Sequence, residues 1–248
     1  MQSISITENR KEIHMHNFRR GLLQGIGIAL GYLSVSFSFG ILAVQSGLTV
    51  WQTVLISVTN LTSAGQVAGV GLIAAGAAPL ELFLAEAVIN IRYALMSLAL
   101  SQKADSTFKL PQRLLASFGI TDEIFAVSSL EKGTLKPAFM YGIILIAFLG
   151  WTAGTWLGAA AGTLLPEKLT NALGIALYGM FLAIILPPAR KSRGILAVVI
   201  AAAICSVLLK LAASWISGGF ALIIAALSAA VFGALCCPVN QDETGVQE

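Results

Sequence analysis

The stretch Ser57-Val-Thr-Asn-Leu-Thr-Ser-Ala-Gly-Gln66 is polar, although it lies inside an apolar region that runs from about residue 50 to residue 78. Irregular backbone at membrane depth is tolerated only where protein surrounds it or where it lines a water-filled cavity. The stretch therefore predicts two half-helices joined by a break, whose candidate solute contacts are Asn60, Ser63, Gly65 and Gln66, with Thr62 as a further liner. The alternative is a kinked helix whose Ser and Thr side chains bond to their own backbone.

The composition of the whole chain is that of a membrane protein. Of the 248 residues, 57% are hydrophobic and 11% are charged, whereas soluble domains carry about 25% charged residues. We expect an all-α polytopic membrane protein with about six full spans and a re-entrant or broken second region. Residues 1–20 are expected to form a cytoplasmic tail, residues 21–236 a single membrane transport domain, and residues 237–248 a C-terminal tail.

The full spans are expected where long apolar stretches occur, at about residues 21–44, 79–101, 138–161, 169–186, 194–211 and 216–235. Two glycine pairs spaced four residues apart predict close helix approach in the first span: Gly21 with Gly25, and Gly27 with Gly31. The tryptophans lie mostly near predicted span ends and are interpreted as interfacial anchors: Trp51, Trp151, Trp156 and Trp215.

Positive charge places three parts of the chain in the cytoplasm, because cytoplasmic loops are enriched in Lys and Arg. These parts are the N-terminal residues, the loop 103–136 and the cluster 190–193. Three complete spans before residue 103 would put that loop outside the cell. The conflict disappears if the second region is re-entrant, so that its two half-helices enter and leave on the outer side.

The third span carries a polar stripe on an otherwise apolar helix, formed at helical spacing by Glu86, Asn90, Tyr93 and Ser97. Arg92 projects beside this stripe. A charge at the bilayer centre costs roughly 2.5–3.5 kcal/mol on insertion scales, so charged side chains inside spans usually mark a functional path. The hypothesis is a solute or proton path along this stripe. The alternative is a hydrogen-bond network that holds helices together.

Two acidic residues follow a capping threonine in the basic loop. Thr121 is a suitable N-cap for a helix whose first turn holds Asp122 and Glu123. These carboxylates are candidates for contact with an ammonium group or for carrying a proton, and the alternative is a solvated loop helix.

The sequence has no signature of catalysis. It contains no Walker A loop, no metal-ligand spacing and no credible catalytic triad, so we expect no enzymatic activity, no cofactor and no metal. A net charge of +3 reports topology in such a chain and does not indicate a nucleic-acid partner.

Four short motifs occur in an order that resembles AzlC/YgaZ-type proteins: Ser63-Ala-Gly-Gln66, the apolar stretch 69–79, Asn90-Ile-Arg92-Tyr93 and Gly119-Ile-Thr-Asp-Glu123. The resemblance covers nearly all of residues 18–235. It implies the large subunit of a secondary transporter that exports leucine, isoleucine, valine and, as a further candidate, methionine across the bacterial inner membrane. It also implies a small AzlD/YgaH-type membrane subunit as partner. The family often has His where this chain has Tyr93, and a phenol does not titrate near neutral pH.

An amino-acid solute would use the candidate residues through its two charges. Its carboxylate would meet half-helix amides near 63–66 or the guanidinium of Arg92, and its ammonium would meet Glu86 or Asp122. Its apolar side chain would enter a pocket lined by small residues. Two other functions stay open: a passive channel, since re-entrant half-helices also build selectivity filters, and a non-transporting scaffold whose polar stripe binds partner helices.

Overall fold

The computed structural model describes residues 2–164, 166, 168, 179, 182, 185–212 and 215–236. Helices with defined bounds within these residues are α1 (Gln2–Gln45), α2 (Val50–Thr59), α3 (Ser63–Ala74), α4 (Pro79–Lys103), α5 (Leu110–Phe118), α6 (Asp122–Leu130), α7 (Pro137–Gly162), α8 (Arg193–Ala212) and α9 (Gly218–Cys236). Residues 185–191 are helical as well, and the described part of the chain contains no β-strand. The predicted span 169–186 lies mostly outside the described residues, and the tail 237–248 lies wholly outside them.

Among the residues that the structure describes, five helices are long and apolar enough to cross a membrane: Glu12–Gln45 within α1, and α4, α7, α8 and α9 in full. They coincide with five of the predicted spans, and the chain is an all-α polytopic membrane protein. The first helix begins earlier than expected, at Gln2, so that the N-terminal tail is a helical extension of the first span. Residues 2–20 contain neither Gly nor Pro, and a helix propagates into such a sequence more easily than a new helix starts.

The chain divides into two compact units, and the first comprises Met1–Val70 and Ile89–Leu177. Within it, α1 and α7 pack with their backbones in contact. A Cβ built on Gly21 would lie 2.2 Å from the carbonyl oxygen of Phe139, and one built on Gly40 would lie 2.4 Å from that of Thr155. Glycine allows this approach. Because the contacts advance in the same direction along both helices, α1 and α7 run parallel.

The second apolar region is broken where the sequence predicts it. After α2 ends, Asn60 has an extended backbone with φ −143° and ψ 110°, and α3 begins at Ser63. The two helices have 10 and 12 residues. At about 1.5 Å per residue, neither is long enough to cross a hydrocarbon core of about 30 Å.

The position of α2 is fixed by its contacts with α7. The helix begins just after α1 ends, and its Ser57 hydroxyl lies 2.8 Å from that of Thr155. After the break, Gln66 contacts Trp151, which is one turn nearer the N-terminus of α7 than Thr155. The chain has therefore moved away from the C-terminal ends of α1 and α7 by the time α3 begins.

The helix α3 then returns toward those ends. Val70 packs in one cluster with Phe39 and Ala43, close to the C-terminal end of α1. Gly40 marks the same level, because it lies against Thr155 and Ala159 near the end of α7. The half-helices α2 and α3 thus form a hairpin that enters the first unit and leaves it at one end.

The opposite end of this unit holds the end of α4 and the start of α7. The backbone N–H of Leu135 donates to the carbonyl of Lys103 at 2.8 Å, and that of Asp105 donates to Leu135 at 2.9 Å. The Asp105 carboxylate accepts hydrogen bonds from Lys136 and Thr107, which hold the pKa of Asp105 well below its usual range. The chain is therefore clamped at both ends of the loop 103–136.

The same end also holds the beginning of the first span, since Arg20 pairs with Glu131 at 2.5 Å. The basic N-terminal segment and the basic loop 103–136 therefore lie together. After the α2–α3 hairpin, α4 passes the break at Asn90 and Tyr93 and ends at this basic end. This is the arrangement that the distribution of positive charge predicts.

The loop 103–136 contains two helices rather than the one predicted. α6 begins at the predicted cap, where the Thr121 hydroxyl accepts a 3.3 Å hydrogen bond from the backbone N–H of Ile124. α5 has no counterpart in the sequence analysis. It exposes three leucines on its surface, Leu110, Leu114 and Leu115, which is typical of a helix that lies at a membrane interface.

The second unit comprises Gly71–Val88 and Tyr178–Glu248. Glu81 in the first turn of α4 is buried and accepts a 2.7 Å hydrogen bond from the backbone N–H of Gly219, in the first turn of α9. A carboxylate is favoured at a helix N-terminus. A Cβ on Gly219 would lie 2.5 Å from a Glu81 carboxylate oxygen, so a larger residue at this position would displace the Glu81 side chain.

Candidate functional site

Gln66 is the centre of a buried polar cluster at the break between α2 and α3, and it is 1% exposed. Its amide nitrogen donates to the backbone carbonyl of Asn60 at the end of α2. Its amide oxygen accepts from the indole Nε1 of Trp151 at 3.1 Å and from the hydroxyl of Ser57 at 3.4 Å. The partnered amide joins both half-helices to α7, so Gln66 positions the break through its side chain.

Thr62 connects the break to the polar stripe on α4. Its hydroxyl donates to Oδ1 of Asn90 at 2.8 Å and lies 3.2 Å from the hydroxyl of Tyr93, which donates to it. Thr62 is 4% exposed, while Asn90 and Tyr93 are half-buried. Two residues of the predicted stripe therefore face the irregular backbone between α2 and α3.

Arg92 and Asp122 form an ion pair beside this contact. One Nη of Arg92 lies 3.0 Å from Oδ2 of Asp122, and the two side chains are 43% and 49% exposed. The same Nη donates to the Tyr93 hydroxyl at 3.3 Å. The Nε of Arg92 is buried and has no hydrogen-bond partner among the described residues. Arg92 therefore holds an unused donor next to an ion pair that is half open.

Tyr32 on α1 connects α6 to this region, and the sequence analysis did not identify it. Its hydroxyl donates to Oε2 of Glu123 at 2.5 Å and lies 2.6 Å from the hydroxyl of Thr121. Its ring meets Trp151 edge-on, with 5.1 Å between ring centroids. The signal available in the sequence was a single phenol in a first span made up mainly of Gly, Leu, Ile and Ser, since a buried Tyr hydroxyl needs a partner.

The interpretation of Trp151 as an interfacial anchor was wrong. Trp151 is 2% exposed and donates to Gln66, whereas Trp51 and Trp215 are 79% and 85% exposed. Its position in the middle of α7 distinguishes it from the tryptophans near helix ends.

These contacts form neighbouring groups, which adjoin through the Tyr32–Trp151 ring contact, through the backbone bond from the Gln66 N–H to the Thr62 carbonyl, and through the consecutive residues 121–123. We call them together the polar network: Tyr32, Ser57, Thr62, Gln66, Asn90, Arg92, Tyr93, Thr121, Asp122, Glu123, Trp151 and Thr155. It contains most of the predicted site residues. All of its members belong to the first unit. Side chains from α1, α4, α6 and α7 thus converge on the break in the second region.

The other predicted site residues lie at the break or on α4, outside the polar network. Asn60 contributes its carbonyl to Gln66, and the N–H of buried Gly65 lies 3.4 Å from the Thr62 hydroxyl. Ser63 begins α3 and is half-buried. Glu86 is half-buried on α4, in the second unit, and its contact with a solute ammonium stays a prediction.

The electrostatics of Asp122 favour a functional role. Burial raises the pKa of Asp122 above its usual value, and the nearby positive charge of Arg92 acts in the opposite direction. A carboxyl with a perturbed pKa and a specific charge partner is typical of functional sites. Within the residues that the structure describes, no cluster of three or more His, Cys, Asp or Glu could hold a metal ion.

Comparison with known proteins gives the family. The model of the family described as AzlC protein matches residues 27–165, which is more than half of the chain. The chain belongs to the AzlC family. The matched residues of this AzlC-family protein run from α1 to just beyond α7 and include the whole polar network.

Relatives of the chain are membrane proteins by name. An uncharacterized membrane protein of Archaeoglobus fulgidus is 31% identical over 172 residues, which cover 68% of this chain and 75% of the relative. The inner membrane protein YgaZ of Escherichia coli is 24% identical over 185 residues, covering 72% of this chain and 76% of YgaZ. An uncharacterized membrane protein of Helicobacter pylori is 27% identical over 157 residues, covering 60% and 68%. No solved structure matches the chain significantly.

Proposed function

We propose that this AzlC-family protein is the large subunit of a secondary transporter that exports leucine, isoleucine and valine, with methionine as a further candidate, across the bacterial inner membrane. The observation that carries the proposal is the buried Nε of Arg92, which has no hydrogen-bond partner in the described part of the chain, beside the half-exposed Asp122. A guanidinium binds a carboxylate best through two parallel N–H donors, and this Nε is one donor of such a pair.

The Arg92–Asp122 pair suits a zwitterion. An amino acid carries one carboxylate and one ammonium, which match the guanidinium and the carboxylate that face each other in the structure. An exposed ion pair contributes about 0–1 kcal/mol to the stability of a protein. Replacing the Arg92–Asp122 pair by contacts with a solute therefore costs the protein little stability. Breaking a fully buried pair would cost about 3–5 kcal/mol. The half-open pair can therefore be exchanged for a solute and restored after release.

The break in the second region supplies the polar surroundings that such a solute needs. Thr62, Asn90 and Tyr93 are held in one hydrogen-bonded chain next to Arg92. These groups can reorient toward a solute without leaving an unsatisfied group in an apolar interior. The protein then acts by binding and moving an amino acid, and we propose no chemical reaction and no cofactor.

The proposal includes a small membrane subunit of the AzlD/YgaH type, which the family resemblance implies. The chain offers apolar surface for one. On α4, for example, Ile91, Leu95 and Leu98 are 66%, 68% and 61% exposed. Lipid or a partner helix would cover this face.

A passive channel is the second candidate, because the hairpin α2–α3 is the kind of element from which selectivity filters are built. A transporter exchanges bound solutes and saturates, whereas a channel conducts without exchange. A scaffold that only assembles with other membrane proteins would carry no flux at all.

Counterflow of labelled leucine into liposomes, with and without the small subunit, tests the proposal. The expected result is saturable uptake driven by unlabelled leucine inside, with competition by isoleucine and valine and none by lysine or glutamate. Rapid equilibration without counterflow would favour the channel. Absence of flux from correctly inserted protein in both preparations would contradict the proposed function and favour the scaffold.

A further inference from the structure

An apolar cavity of about 140 Å³ lies in the first unit between α4, α5 and the start of α7. Its lining includes Leu100, Phe108, Ala116, Ile120, Leu135 and Met140. Each of these residues is at most 9% exposed. The lining also includes Ser101, Arg113 and Ser117, which are exposed. The hydrophobic core of the unit therefore bounds the space on one side, and the space opens to the surface beside α5.

The cavity adjoins the polar network at two points. Ser97 lines it and lies one helical turn after Tyr93 on the same face of α4. Ile120 lines it and directly precedes Thr121 and Asp122. The Arg92–Asp122 pair thus joins the two elements, α4 and α6, whose neighbouring residues bound the cavity. A solute held at this pair by its charged end would therefore lie beside the elements that bound this space.

We propose that this cavity receives the aliphatic side chain of the transported amino acid. The inference rests on the proposed function and deepens it, because it assigns the residues that set side-chain specificity. A cavity of about 150 Å³ lined by Leu, Ile and Phe is large enough for benzene. The space here therefore fits a branched side chain of three or four carbons, and its mainly apolar lining disfavours charged side chains.

The lining predicts graded rather than absolute selectivity. One methylene in a hydrophobic pocket changes specificity by roughly 10–200-fold. Leucine, isoleucine and valine should therefore compete with one another. Ala116 on α5 and Leu100 on α4 both line the cavity, the first with a small and the second with a large side chain. These two positions allow the volume to be changed in both directions.

The experiment measures competition of unlabelled leucine, valine and phenylalanine against labelled valine counterflow, in the complete transporter. Ala116→Leu adds three carbons to the cavity, and we expect the preference for leucine over valine to fall at least about tenfold. Leu100→Ala enlarges the space, and we expect phenylalanine to become a stronger competitor by a similar factor. Ala99→Leu adds the same three carbons to the exposed face of α4 and should leave the preferences unchanged.

The outcomes distinguish failure of the proposed transport function from failure of the proposed side-chain cavity. If the wild-type protein carries neither leucine nor valine, the proposed function fails, and this inference fails with it. If the wild type transports both, and the cavity variants show the same preferences as Ala99→Leu, the inference alone is overturned, and the cavity is a packing void. If Ala116→Leu does not insert, the phenylalanine competition of Leu100→Ala decides in either direction.

Discussion

The Arg92 side chain combines a bonded Nη group with an Nε donor that is available to a ligand. One of its Nη groups is held by Asp122 and Tyr93, which fixes the guanidinium in place, while its buried Nε has no partner among the described residues. A charge at membrane depth is retained only with a partner or a wet cavity. Asp122 supplies the partner, and the free donor points to a carboxylate ligand.

Replacement of Arg92 tests this role. Arg92→Ala should lower leucine transport at least about tenfold, because a hydrogen bond to a charged group is worth about 1.5–3 kcal/mol. Arg92→Lys should restore part of the activity, since Lys keeps the charge and loses the paired donors. The control is Arg190→Ala, which removes an exposed charge. Equal fluxes of Arg92→Ala and Arg190→Ala at matched amounts of inserted protein would refute the role.

The pH dependence of binding should report Asp122. A protonated carboxyl cannot pair with an ammonium group, so leucine affinity should be full above the pKa of Asp122 and fall as the pH drops through it. Burial raises that pKa, so the fall should begin at a higher pH than for an ordinary aspartate of pKa about 3.9. The measurement is the half-saturating leucine concentration as a function of pH.

Two variants separate Asp122 from other carboxylates. Asp122→Asn should bind leucine weakly at neutral pH and should lack the acid-dependent decrease. Asp105→Asn should keep it, because the pKa of Asp105 is lowered by Lys136 and Thr107, and this carboxylate lies in the clamp before α7. An unchanged pH profile in Asp122→Asn would exclude Asp122 as the ammonium contact.

At the scale of elements, the parallel contact between α1 and α7 carries the hairpin. Gly21 and Gly25 of the first predicted glycine pair lie against α7, whereas a Cβ on Gly27 or Gly31 would meet nothing within 4 Å. The spacing of Gly27 and Gly31 predicted close approach of another helix, and no helix in the described part of the chain approaches them. Contact with a helix depends on the facing sequence as well as on small residues.

This contact can be tested with two substitutions that add the same methyl group. A Cβ on Gly158 would lie 1.9 Å from the carbonyl oxygen of Phe37. Gly158→Ala should therefore lower stability by about 1–3 kcal/mol through forced separation of the backbones. Gly31→Ala should be neutral or raise stability by about 0.5–1 kcal/mol, because Ala suits a helix better. Thermal unfolding in detergent measures both, and equal midpoints would contradict the close contact.

At the scale of the whole molecule, the sequence predicted structural features where the polarity or charge of a segment differs from that of its surroundings. The polar stretch at 57–66 predicted the break, and the basic loop 103–136 required an even number of crossings between the N-terminus and residue 103. Thr121 predicted the start of α6. The leucines of α5 gave no comparable signal, so the sequence did not predict this helix.

The site was predictable to a similar extent. Asn90, Arg92 and Asp122 were conspicuous because polar and charged groups are rare in an apolar chain. Tyr32 and Trp151 were not, because each looks ordinary in its own helix and gains its role from residues more than 80 positions away. Pairing between distant segments is set by the packing of α1 against α7, which the local sequence does not encode.

The proposed site depends on the hairpin formed by α2 and α3, because the hairpin brings the break to Arg92 and Asp122. Single cysteines at Thr49, Ala78 and Lys132 test it, in a chain whose three native cysteines are replaced by serine. A membrane-impermeant thiol reagent is applied to the outer face of the membrane. The account predicts that Thr49→Cys and Ala78→Cys both react from outside, and that Lys132→Cys reacts only after the membrane is opened. Reaction of Thr49→Cys and Ala78→Cys from opposite faces would contradict the hairpin.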